Sequence, residues 1–155
     1  MPKRYLGEGG RKAWNILNVV GYGGGAPLND VKLVQYLLNV TTRQMVRDGR
    51  MEKATSLTQD GMFGPNTSAA IWAVQKEFSD GTIDGRISQM RSPTFTYGSQ
   101  IWTLYKLEAN YTADLFQLGK DVRINAAMYN EAMDWLPFDD ALAASVRTEM
   151  FAGNG

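Results

Sequence analysis

Two stretches of the chain share one spacing. Val31-x-x-Val34-Gln35-x-x-Leu38 recurs forty positions later as Ile71-x-x-Val74-Gln75-x-x-Phe78. Apolar residues three and four apart fall on one face of a helix, so each stretch predicts an amphipathic helix that carries a glutamine. Each also belongs to a unit with an Asp-Gly turn, Asp60-Gly61-Met62-Phe63 and Asp84-Gly85-Arg86-Ile87. Aspartate bonds to the backbone just ahead of it, and glycine accepts the positive φ of a tight turn. In both turns the second residue after the glycine is apolar, placed to plug the end of a small bundle. A repeat of this kind predicts helices packed about a pseudo-symmetric core.

The remaining punctuation fills in the helices. Asn29 reads as an N-cap, with Leu28 and Leu33 as a hydrophobic staple, opening a helix over residues 30–40. That helix extends through Met45 and Val46 until Asp48-Gly49 breaks it. Gly64-Pro65 starts a second helix, Pro65 to Phe78, since proline at the first helical position has no N–H to lose. Ala70, Ile71, Val74 and Phe78 form its buried stripe, with Lys76 and Glu77 off it. A third helix is expected over residues 100–110. A fourth spans residues 112–136, with Leu115, Leu118, Val122, Ala126, Tyr129 and Met133 on its apolar side. Pro137 stops it, and Phe138-Asp139-Asp140 opens a last helix toward Gly153. At the other end, a short helix around Trp14, Ile16, Leu17 and Val20 leads into the glycine-rich residues 21–25, a connector. No stretch alternates convincingly as a strand, apart from a short extended piece over residues 94–97. The expected class is all-α, a three-helix core with N-terminal and C-terminal helical extensions.

Composition narrows the chemistry. At 155 residues and 44% hydrophobic content the chain can form a core without staples. It has no cysteine and no histidine, which removes disulfides, thiol nucleophiles, Cys/His zinc sites and any histidine-based triad. Lysine plus arginine and aspartate plus glutamate both number 16, so no net field draws the protein to nucleic acid or an anionic membrane. No run approaches a membrane span. The start Met1-Pro2-Lys3-Arg4 is basic, but the apolar stretch after it is interrupted by Asn15 and Asn18, so no export signal is expected and synthesis ends in the cytoplasm.

The motif residues resemble the peptidoglycan-binding domain family, the three-helix module attached to many bacterial and phage cell-wall hydrolases. Its pattern is an apolar-x-x-apolar-Gln-x-x-Leu helix, then Asp-Gly-x-apolar-Gly-x-x-Thr, then Ala-apolar-x-x-apolar-Gln, then a second Asp-Gly turn and a closing helix. The match runs through Val31, Val34, Gln35, Leu38, Asp60, Gly61, Phe63, Gly64, Pro65, Thr67, Ala70, Ile71, Val74, Gln75, Asp84, Gly85 and Ile87. The resemblance implies three parts: an N-terminal helix and connector (1–27), a peptidoglycan-binding-like core (28–110) and a C-terminal helical extension (111–155). Three departures stand out: a long link between residues 39 and 60, Ser88 where the family has glycine, and a late third helix.

The family's function implies non-catalytic attachment to peptidoglycan or a wall-derived glycopeptide, with no cofactor. A wall binder lacking an export signal is expected to reach the periplasm or cell wall after lysis, through a specialised secretion or injection machine, or as part of a phage particle. Aromatic faces suit sugar rings, and amide or charged groups suit hydroxyl and N-acetyl groups. The candidates are Gln35, Tyr36, Asn66, Trp72, Gln75 and Arg86, although packing under the C-terminal extension is the plainer expectation for Trp72, and for Gln35 and Gln75 a helix-surface or inter-helix hydrogen bond stands equal with a glycan contact. Asp60, Gly61, Phe63, Gly64, Pro65, Thr67, Asp84 and Gly85 are read as structural, with Phe63 in the core. Glu8, Glu52, Glu108 and Glu149 lie in no recognisable hydrolase motif, so an enzyme is not expected. The alternative is a structural or assembly protein using the same fold to hold a protein partner, through Met128, Tyr129, Met133, Trp135, Phe138, Met150 and Phe151.

Overall fold

The computed structural model describes residues 3–6, 12–78, 83–90, 96–97, 100–101, 103–116 and 125–135. The expected last helix and the Ser92-Pro93 punctuation lie outside them. The class is all-α: helices α1 (Leu28–Arg47), α2 (Pro65–Phe78), α3 (Thr103–Leu115) and α4 (Ala126–Trp135) carry the architecture. Four short strands form two antiparallel pairs, β1 (Lys3–Leu6) with β2 (Lys12–Asn15), and β3 (Thr96–Tyr97) with β4 (Gln100–Ile101).

α1 is the central element. Its buried set includes Val31, Leu33, Val34, Leu37, Leu38, Val40 and Met45, more than one stripe, because it packs against both α2 and α3. It starts at Leu28, with Pro27 at the cap position and no side-chain cap bond. The expected Asn29 cap is therefore corrected: proline's fixed φ already launches the helix two residues earlier. At its other end Gly49 N–H bonds Val46 O and Arg50 N–H bonds Met45 O, the paired closure of a Schellman motif. α2 has the expected bounds, and Ala70, Ile71 and Val74 are buried while Phe78 is only partly so.

The N-terminal segment is corrected from helix to hairpin, with Arg4 opposite Trp14 and Lys3 opposite Asn15. Trp14 is fully buried; its backbone N–H donates to Glu108 Oε1 (2.7 Å) and its indole N–H to Met133 O (2.7 Å). One strand residue thus ties β2 to both α3 and α4. Asn15 acts like a piece of backbone, its side chain giving a bond to Met90 O and taking one from Met90 N–H. Val20 and Ile87 then exchange both backbone bonds at 2.9 Å.

The third helix begins at Thr103, since residues 100–101 pair with β3, and it runs past residue 110. The expected boundary there falls inside α3. Instead of one long fourth helix, α4 starts after Asn125, whose Oδ1 caps the Met128 N–H. Tyr129, Ala132 and Met133 of α4 join Trp14, Leu104, Leu107 and Tyr111 in a single core with α1 and α2. The C-terminal residues that were expected to offer a partner surface are, at Tyr129 and Met133, interior.

Candidate functional site

Each glutamine of the repeat clamps one Asp-Gly turn. Gln35, 1% exposed on α1, accepts the Gly61 N–H at 3.0 Å. Its amide group donates to Asp60 Oδ1, Met62 O and Thr67 Oγ1. Gln75, 3% exposed on α2, does the same one unit later. It accepts from Asp84 and Gly85 N–H and donates to Asp84 Oδ1, Arg86 O and Thr103 Oγ1. In both turns the aspartate also accepts the N–H two residues on, from Met62 or Arg86. Thr67 and Thr103 each sit in the first turn of the following helix. The clamp therefore fixes helix, turn and next helix together.

Both turn glycines have the positive φ that the sequence calls for, 75° at Gly61 and 72° at Gly85. Each is also covered from outside. A Cβ on Gly61 would lie 2.4 Å from Leu28 Cγ and 2.6 Å from Leu28 O, and one on Gly85 would lie 2.3 Å from Trp72 Nε1. Trp72 thus rests on the second turn with 47% of its surface exposed. Among the described residues it is Trp14, and not Trp72, that bonds to α4 of the C-terminal extension.

The long link after α1 builds a strap. Residues 54–59 carry neither turn nor bend. Asn39 holds them to α1 by accepting Leu57 N–H (2.8 Å) and donating to Leu57 O (3.0 Å), and Thr42 Oγ1 accepts Thr55 N–H. A groove of about 620 Å³ lies between this strap and the start of α2, bordered by Lys53, Ser56, Thr58, Asp60, Asn66 and Ala69 among others. A smaller groove of about 470 Å³ lies on the strap's other side, against Tyr36, Arg43 and Tyr111.

The six candidate ligand contacts do not converge. Gln35 and Asn66 border the larger groove, but the Gln35 amide is fully engaged by its turn. Gln75 is interior, and of the two readings open for it the structure places it in a hydrogen-bonded clamp between helices and turn. Tyr36 is buried against Tyr111, ring centroids 6.0 Å apart, and borders only the smaller groove. Trp72 and Arg86 lie at the second turn, where the Arg86 guanidinium donates to Tyr22 O. Phe63 is partly buried, edge-on to exposed Tyr22 at 4.8 Å, which corrects its core placement. Lys53, Thr55, Ser56 and Thr58 escaped sequence reasoning because polar residues without periodicity carry no signal of their own.

Asp60 sets the electrostatics of the larger groove. The Met62 N–H bond, and then the Gln35 amide, hold its carboxyl below the usual carboxylate range. It is therefore an acceptor at neutral pH and not a proton donor. Among the described residues, no group of three His, Cys, Asp or Glu side chains is placed to hold a metal, and no helix is long and apolar enough to cross a membrane. Comparison with protein-family models, curated proteins and solved structures gives no match.

Proposed function

We propose that the protein attaches non-catalytically to bacterial cell-wall peptidoglycan or a glycopeptide derived from it. The observation that carries this reading is the larger groove, which lies in the half of the chain bearing the family resemblance and is framed by the first clamp. Its lining of hydroxyl and amide groups, together with Lys53 and Asp60, suits a polar ligand that carries a few charges. An ionised Asp60 favours hydrogen bonding over acid catalysis, because a glycosidase needs a carboxyl that keeps its proton. Delivery from a phage particle or an injection machine is the setting that accompanies this reading.

A specific observation supports the assembly alternative. Tyr22, Leu28, Met62, Trp72 and Ile83 are large, exposed and apolar. Contacts between Leu28 and Gly61, Tyr22 and Phe63, and Trp72 and Gly85 gather three of them around the two turns, and Met62 belongs to the first turn itself. Such a surface suits a protein partner better than the interior residues of α4 do. Co-sedimentation of the purified full chain with isolated sacculi separates the two. Wall attachment predicts that the protein pellets with sacculi, while a protein that stays in the supernatant across salt concentrations and pH belongs to the assembly reading.

A further inference from the structure

We infer that the larger groove takes the peptide portion of a wall glycopeptide, laid alongside the strap, and not its sugar chain. This rests on the wall-attachment reading and names the part of the ligand that the site recognises. The first ground is the strap's backbone. Thr55 and Leu57 turn their N–H groups to α1. In an unbent chain the alternate residues Ala54, Ser56 and Thr58 then face the other way. Among the described residues no protein group bonds their N–H or C=O, and Ala54 and Thr58 border the larger groove alone. A row of unpaired backbone groups along an open groove is the surface that recognises another extended backbone.

The lining supplies the second ground. It contains no aromatic ring, the group on which sugar rings stack, but it does place Lys53 and Asp60 on one surface. One cation and one ionised carboxylate match a peptide that carries both carboxylates and a side-chain amine, as the short wall peptides do. Size is the third. A groove of about 620 Å³ falls in the range that encloses a small ligand and is too small for a protein helix or domain.

The test uses the full chain and calorimetric titration with four probes: a soluble disaccharide-tetrapeptide, the disaccharide alone, the free tetrapeptide, and an all-L peptide of the same charge. Sacculus co-sedimentation is run on the same samples. The inference expects the disaccharide-tetrapeptide and the tetrapeptide to bind alike, and the disaccharide alone not to bind. Ala69→Arg, which fills the groove from an exposed helical position, should weaken tetrapeptide binding by about tenfold or more. Ala127→Arg, the same change at an exposed position of α4, should leave binding unchanged, and equal melting midpoints exclude misfolding. Lys53→Gln should weaken binding by a smaller factor. Binding of the disaccharide as tightly as the disaccharide-tetrapeptide overturns the inference, as does sacculus binding indifferent to Ala69→Arg; the wall-attachment reading survives both. Equal or tighter binding of the all-L peptide overturns it in favour of a protein segment. Tetrapeptide binding without sacculus binding keeps the inference and removes the reading, and no binding of any probe removes both.

Discussion

The two Asp-Gly turns share one clamp and differ in what surrounds it. The second is walled in: Gly85 is buried under Trp72, Arg86 is bonded to Tyr22 O, and Ile87 is paired with Val20 of the N-terminal segment. The first is covered at Gly61 by Leu28 but is open on its strap side. Asp60 is exposed and faces a groove, because the chain between α1 and the turn is long enough to run back along α1 as a strap. The same local chemistry thus serves as a joint at one end of α2 and as the frame of an open groove at the other. The difference lies in the segments added around the repeat and in its variable positions, where Trp72 and Arg86 of the second unit stand against Lys32 and Met62 of the first.

Replacing the clamp residues should expose this difference most strongly. Gln75→Leu leaves the Gly85 N–H and Arg86 O without partners in an enclosed place, which costs about 3 kcal/mol. Gln35→Leu should cost about 2 kcal/mol, because water in the groove can reach the freed groups. Chemical denaturation of both variants measures the pair, and equal losses would show that the two turns are equally enclosed.

The glycines should reverse that order. Gly61→Ala meets a backbone carbonyl, Leu28 O, which cannot swing aside, so a loss of about 2 kcal/mol is expected once the strain of positive φ is included. Gly85→Ala meets the half-exposed indole of Trp72, which can rotate, so about 1 kcal/mol is expected. Adding Trp72→Ala to Gly85→Ala should recover part of that loss in thermal melts; no recovery would mean that φ alone sets the cost.

Loosening the strap is a smaller change that bears on the first unit alone. Asn39→Ala removes two bonds to Leu57, for about 1 kcal/mol, and should speed tryptic cleavage after Lys53. A cleavage rate equal to that of the parent would show that the strap is held by other contacts.

The smallest effect is a pH effect. Asp60 has a folded pKa below its unfolded value, so its contribution is fully present above roughly pH 4 and is lost as pH falls through the folded pKa. Asp60→Asn should flatten that part of the stability-versus-pH curve. An unchanged acid limb would assign the loss to other carboxylates.

Much of the second helix and both turns was legible, because local periodicity, Pro65 and the Asp-Gly pairs each fix backbone within a few residues. The partners of Gln35 and Gln75 followed less directly: spacing shows a glutamine beside a stripe but not that its amide points inward. Pairings across long separations were not legible. β2 is four residues long and gains its place from Glu108 and Met133, far along the chain. For the same reason the sequence could not tell which tryptophan, Trp14 or Trp72, lies under α4. The strap was visible only as a link of unusual length. Its one signal was Asn39, an amide able to pair with a backbone segment as Asn15 pairs with Met90.

The location of binding is read most directly from amide NMR spectra of the isotope-labelled full chain, titrated with the soluble disaccharide-tetrapeptide. Shifts should concentrate at residues 54–58 and 64–70, around the first clamp, and leave residues 83–87 and 126–135 in place. Shifts centred on the second turn or on α4, or none at saturating ligand, would contradict the assignment of the site to the groove beside the strap.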